Sequence, residues 1–139
     1  MVGRGGEERR LRALAGPTVE FRGAVSDGEI ARLYARARAF LFPGEEDFGI
    51  TPVEAQSAGT PVLAFGRGGA AETVLDGKTG LFFEEQTAES LSDCILRFER
   101  GGVAFTRAEI REHSLQFGEA RFQREIYDFC MKKWEARGS

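Results

Sequence analysis

Two glutamates, Glu46 and Glu54, bracket a stretch suited to a ligand that joins phosphate to sugar. It reads Pro43-Gly44-Glu45-Glu46-Asp47-Phe48-Gly49-Ile50-Thr51-Pro52-Val53-Glu54-Ala55-Gln56. Phe48, Gly49, Ile50 and Thr51 offer a glycine for close backbone approach and N–H donors at a helix entrance. Glu46 lies between Glu45 and Asp47, and three adjacent acids repel one another with no structural gain. The bland reading of that cluster is a solvated loop. The functional one is a carboxylate accepting hydrogen bonds from sugar hydroxyls, such charged bonds being worth roughly 1.5–3 kcal/mol. Glu54 has a structural reading of its own. Thr51-Pro52-Val53-Glu54 fits a capping box with Thr51 as N-cap, worth about 1 kcal/mol without any ligand. The two readings coexist, because a carboxylate near a helix amino end also lies beside the hydroxyls next to a bound anion.

The elements that must hold these residues follow from the apolar patterning. The start, Met1-Val2-Gly3-Arg4-Gly5-Gly6, reads as the tail of a strand entering a glycine turn, and Glu7 to Ala15 as a charged helix closed by Gly16-Pro17. Thr18 to Arg22 predicts a short strand with Val19 and Phe21 on one face. Ser26 or Asp27 caps a helix to about Arg38. Ala39 to Phe42 and Pro61 to Phe65 are near-continuous apolar runs, as strands become when helices cover both sheet faces. Between them lies a helix from Thr51 to Ala58, ended by Gly59. Gly66-Arg67-Gly68-Gly69-Ala70 is a second glycine loop entering a short helix, expected to line the same crevice as the first, with Arg67 either a phosphate contact or a solvated side chain. Gly80 to Phe83 is the last strand. Helices follow from Thr87, with Leu91, Ile95 and Phe98 in a stripe, from Thr106, and from Gly118 to Trp134. Phe122, Tyr127, Phe129 and Trp134 are expected to pack the last helix onto the core, and His113, between Glu112 and Ser114, to be solvated. Alternating strands and helices with short loops give an α/β fold with a Rossmann-like, doubly wound parallel sheet.

Composition narrows the class. At 139 residues the chain is one domain; 42% hydrophobic and 29% charged residues read as soluble and globular. A net charge of −3 gives no electrostatic argument for nucleic acid as a partner. No apolar run approaches the ~20 residues needed to span a bilayer, and the start carries no secretory-leader pattern. Cys94 and Cys130 lack CxxC spacing and are expected as reduced thiols in a cytoplasmic protein. One histidine and scattered carboxylates argue against a protein-built metal site.

The run from Phe40 to Val74 resembles the retaining GT-B glycosyltransferases of the family-four, or group 1, type. The residues that carry the likeness are Glu46-Asp47-Phe48-Gly49-Ile50, Pro52-Val53-Glu54-Ala55, Gly59-Thr60-Pro61-Val62, Gly68-Gly69 with Glu72-Thr73-Val74, and Gly77-Lys78-Thr79-Gly80-Leu81. The resemblance implies a catalytic role for Glu46, holding hydroxyls of the donor sugar. It implies that Phe48, Gly49, Ile50 and Thr51 bind sugar and diphosphate, that Glu54 binds the ribose, and that Gly23, Ala24 and Val25 lie near the base. The wording around Glu45-Glu46-Asp47-Phe48-Gly49-Ile50 and Gly68-Gly69-Ala70-Ala71-Glu72-Thr73 is most similar to mannosyltransferases of bacterial surface-polysaccharide synthesis, which implies GDP-mannose as donor, or else UDP-glucose or another UDP-hexose. No cofactor or metal is implied.

Enzymes of this type have two Rossmann-like halves, with the acceptor mainly on the first. The chain is expected to be the second, donor-binding half, residues 1–139. The first half and the opening strand of the second, a central one, are expected to be missing. Three functions follow: the donor half of a hexosyltransferase acting on a glycan or lipid-linked acceptor, a nucleotide-sugar-binding module without activity, or a remnant that pairs with itself through its open sheet and apolar last helix. The full enzyme is expected in the cytoplasm, at the inner membrane face if it associates with lipid.

Overall fold

The structure, a computed structural model, describes residues 1–137. It contains α1 (Glu8–Leu14), α2 (Asp27–Arg36), β1 (Phe40–Phe42), α3 (Ile50–Ser57), β2 (Val62–Phe65), α4 (Gly69–Thr73), β3 (Gly80–Phe83), α5 (Ala88–Glu99), α6 (Arg107–Ser114), a 3₁₀ turn (Leu115–Phe117) and α7 (Glu119–Arg137). The chain divides into two compact units, Met1–Leu33 and the remainder from Tyr34 onward.

In the first unit no residue is fully buried. Thr18 to Arg22 forms no strand, contrary to its alternation, and neither does Met1 to Gly6. Scattered hydrogen bonds join the two stretches, from the Arg22 N–H to the Met1 carbonyl and from the Gly3 N–H to the Gly23 carbonyl. The Met1 amino group also donates to the Glu20 carbonyl, yet a strand exists only where a ladder repeats, and neither stretch is one. Arg12 lies over the Phe21 ring at 4.6 Å, and Arg22 pairs with Glu20 and Glu29. The helix start at α2 is as expected: the Ser26 hydroxyl accepts from the Glu29 N–H at 3.3 Å.

The second unit is built on a parallel sheet in the order β1-β2-β3. β2 is buried throughout, and its residues alternate between two cores. Val62 and Ala64 join Phe42, Ala55, Ala70 and Val74 on the face covered by α3 and α4. Leu63 and Phe65 join Leu81, Phe83 and Cys94 on the other, where Leu91, Ile95 and Phe98 of α5 close over them. Helices on both faces explain why the strands read as continuous apolar runs. The doubly wound α/β expectation holds.

The outer edge of β3 is occupied by its own surroundings. The Asp76 carboxylate accepts from the Phe82 N–H at 3.0 Å, Arg97 donates to the Phe82 carbonyl at 2.6 Å, and the Gly77 N–H donates to the Gly80 carbonyl at 2.8 Å. The expectation for α7 fails. None of its residues is buried, and Phe122, Tyr127, Phe129 and Trp134 are all exposed.

Candidate functional site

β1 ends at Pro43, and the chain turns through the acidic loop into α3 at the carboxyl ends of the parallel strands, the usual ligand region of such sheets. The start of α3 differs from the predicted capping box. Ile50 and Thr51 are already helical, and the N-cap is Gly49 in the left-handed region, φ 75° and ψ 76°. A glycine takes that conformation without penalty. Thr51 is therefore inside the first turn and caps nothing, while Pro52 occupies a position whose N–H would have no helical partner anyway. Glu54 falls one turn in, not at the capping position. The amino end of α3 thus has no side-chain cap and no acid in its first turn. Its free N–H groups and positive dipole end are uncompensated, which favours a bound anion by about 0.3–1 kcal/mol at an exposed site.

The two acids take different settings. Glu46 is exposed, and its carboxylate has no ion-pair partner among the described residues. Its main chain is fixed, the carbonyl accepting from the Gly69 N–H at 2.7 Å. Glu54, also exposed, lies beside the half-buried Tyr34, whose phenol is pushed up to about 12 first by burial and then by the charge and hydrogen bond of Glu54. Phe48 and Ile50 are exposed at 47% and 64%, unusual for apolar side chains at the mouth of a sheet.

The second glycine loop packs directly on the first, as its position suggested. A Cβ on Gly69 would lie 2.0 Å from the Phe48 carbonyl oxygen, and one on Gly68 would lie 2.5 Å from that of Glu46. Arg67 is exposed, its guanidinium 5.7 Å from the Phe65 ring. A hollow of about 870 Å³ opens beyond it, along β3 and α5, lined by Gly66, Arg67, Asp76, Ser90, Arg97 and neighbours. Neither Glu46, Glu54 nor any residue between them lines it, and two of its charged groups are engaged in closing the edge of β3. The anion-ready helix end, not the hollow, is the candidate site.

Glu46, Phe48, Gly49, Ile50, Thr51 and Glu54 thus belong to one unit. Gly23, Ala24 and Val25 belong to the other, where Gly23 has φ 63° and precedes α2. His113 is not solvated, contrary to expectation. Its Nε2 lies 3.0 Å from the Thr73 carbonyl, and its ring meets Phe117 edge to face at 5.6 Å. Gln56, which the sequence offered only as part of the mannosyltransferase-like wording, is fully buried and donates to the carbonyls of Pro52 and Thr73. An amide on the apolar face of α3 was the signal available. Among the described residues no group of three or more His, Cys, Asp or Glu is placed to hold a metal ion, and no helix is long and apolar enough to cross a membrane.

The comparisons with known proteins agree with this geometry. The chain is similar to the phosphatidyl-myo-inositol mannosyltransferase of Mycobacterium leprae, 37% identical over 108 residues that cover 74% of this chain and 29% of that protein. It is similar to a D-inositol 3-phosphate glycosyltransferase of a Nocardioides species, 39% identical over 83 residues, 59% of this chain and 18% of the relative. A sucrose-phosphate synthase structure from Thermosynechococcus elongatus superposes with a TM-score of 0.66 at 29% identity, covering 96% of this chain and 34% of that one. A lipopolysaccharide outer core galactosyltransferase superposes with a TM-score of 0.83 at 17% identity, covering 95% and 40%. The chain therefore spans less than a third of these two curated relatives and less than half of these two solved structures. The sequence profile of the family "Glycosyl transferases group 1" matches residues 1–119, ending where α7 begins. Loop geometry, sheet order and profile converge, and the chain belongs to the group 1 glycosyltransferases, whose solved neighbours have the GT-B fold.

Proposed function

We propose that this chain is the donor-binding half of a retaining glycosyltransferase that moves a hexose from a nucleoside-diphosphate sugar to a glycan or lipid-linked acceptor. The observation that carries the reading is the uncapped, glycine-started amino end of α3, with exposed carboxylates on either side at Glu46 and Glu54. The diphosphate sits at the N–H groups of Ile50 and Thr51, with Phe48 and Gly49 shaping the approach. Glu54 accepts from the ribose hydroxyls and Glu46 from those of the sugar. As the bond from the anomeric carbon to the diphosphate oxygen breaks, the developing negative charge meets fixed dipoles that need no reorganisation. The acceptor oxygen then bonds the anomeric carbon on the same face and gives its proton to the departing diphosphate oxygen. In this reading no metal is needed.

GDP-mannose is the favoured donor. The mannosyltransferase name of the mycobacterial relative supports it; a solved neighbour in complex with UDP-glucose, 24% identical with a TM-score of 0.70, favours a uridine nucleotide instead. Calorimetric titration of the chain with GDP-mannose and with UDP-glucose decides between them, and binding of neither would sink the donor-site reading. In the complete enzyme Glu46→Ala is expected to lower turnover by about 10²-fold or more, the scale of losing one group that holds the transition state. Near-normal turnover removes Glu46 from the mechanism. Binding by this chain with no transfer by the complete enzyme would make it a nucleotide-sugar-binding module.

A further inference from the structure

The loop that carries Glu46 and Phe48 is held by a closed circuit of contacts running through the far end of α4. At its near end the Gly69 N–H donates to the Glu46 carbonyl, and α4 lies so close to Phe48 that no side chain fits at Gly69. At its far end the Thr73 carbonyl receives two hydrogen bonds, from Gln56 Nε2 at 3.0 Å and from His113 at 3.0 Å. A carbonyl only accepts, so His113 Nε2 carries the proton. Gln116 Nε2 lies against the ring face, 2.8 Å from His113 Nδ1 and 3.3 Å from its Nε2, and donates to the His113 carbonyl at 3.0 Å. The ring then meets Phe117 edge to face, and Phe117 meets Phe48 in the same way at 6.3 Å. The path thus returns to the loop it left.

We infer that His113 is a positioning residue for the sugar end of the donor site, acting through the Thr73 carbonyl on one side and Phe117 on the other. This rests on the donor-site reading above. The circuit touches Glu46 and Phe48, while Glu54 lies outside it. Loosening His113 therefore changes how the sugar is held more than how the ribose, at Glu54, is held. A general loss of folding would weaken both.

The test compares His113→Leu and His113→Gln with the parent chain, titrating each with GDP-mannose, GDP, UDP-glucose and UDP. His113→Leu is expected to raise Kd for the nucleotide sugar about tenfold, the scale of one lost aligned hydrogen bond, with a clearly smaller rise in Kd for the free diphosphate. His113→Gln keeps an N–H within reach of Thr73 and is expected to recover most of that loss. Equal weakening of sugar nucleotide and free diphosphate, or no weakening of either, overturns the inference while the donor site stands. If the parent chain binds none of the four, the proposed function falls and takes this inference with it.

Discussion

α5 and α7 are both late helices rich in apolar and aromatic side chains, and they meet opposite fates. In α5 Leu91, Cys94, Ile95 and Phe98 share one narrow face that lies on Leu63, Phe65, Leu81 and Phe83 of the sheet, while Leu96, off that face, is exposed. In α7 the residues Phe122, Ile126, Tyr127, Phe129, Met131 and Trp134 spread around more than half the circumference, and every one is exposed. A helix is buried by the spacing of its apolar residues and by what lies under them, not by how many it has. The two cysteines report the same contrast, Cys94 buried in α5 and Cys130 exposed in α7.

The largest effect expected from this contrast is in thiol chemistry. Under native conditions a disulfide reagent should modify Cys130 about a hundredfold or more faster than Cys94, because burial both hides the Cys94 thiol and pushes its pKa up against the opposing pull of Arg97. Comparable rates would mean that α5 opens as freely as α7. Next, Leu63→Ala beneath α5 should cost about 2–5 kcal/mol of unfolding free energy in urea titrations, as for large-to-small changes in a packed core. A cost under about 1 kcal/mol would show that the face collapses around the gap.

A smaller effect concerns pH. The Tyr34 phenol is raised in the fold from 10.0 to about 12, so the shift stabilises the fold below pH 10 and that stability is lost as pH climbs towards 12. Tyr34→Phe should flatten the fall in thermal midpoint over that window; an unchanged fall would assign it to other groups. Smallest of all, Phe122→Ala or Trp134→Ala in α7 should shift stability by no more than about 0.5 kcal/mol, the usual range for exposed positions. A larger loss would place a partner on α7.

Most of the sheet was legible because its strands are continuous apolar runs bounded by proline and glycine, as at Pro61 to Phe65 followed by Gly66. The helix ends at Gly59 and Thr87 were legible for equally local reasons: Gly59 has φ 76°, and the Thr87 hydroxyl accepts from the Ser90 N–H. What depended on distant neighbours was not. Val19 and Phe21 alternate like a strand, yet the ladder that would make them one is missing from the first unit. Thr51 was a plausible N-cap, but Gly49, free to turn left-handed, takes that place. His113 looked solvated because its sequence neighbours are polar; its true surroundings, Thr73 and Phe117, include a residue forty positions away. The acids at Glu46 and Glu54 were legible as chemistry, and the circuit that steadies one of them was not.

The self-contained hydrogen bonding along the flank of β3 has a bearing on solution behaviour. A foreign extended peptide arriving there finds the Phe82 N–H and carbonyl and the Gly80 carbonyl already taken by Asp76, Arg97 and Gly77. Templated growth of intermolecular strands, the route from an unguarded sheet margin to fibres, is therefore blocked on that side, at the cost of two charged residues and a tight turn.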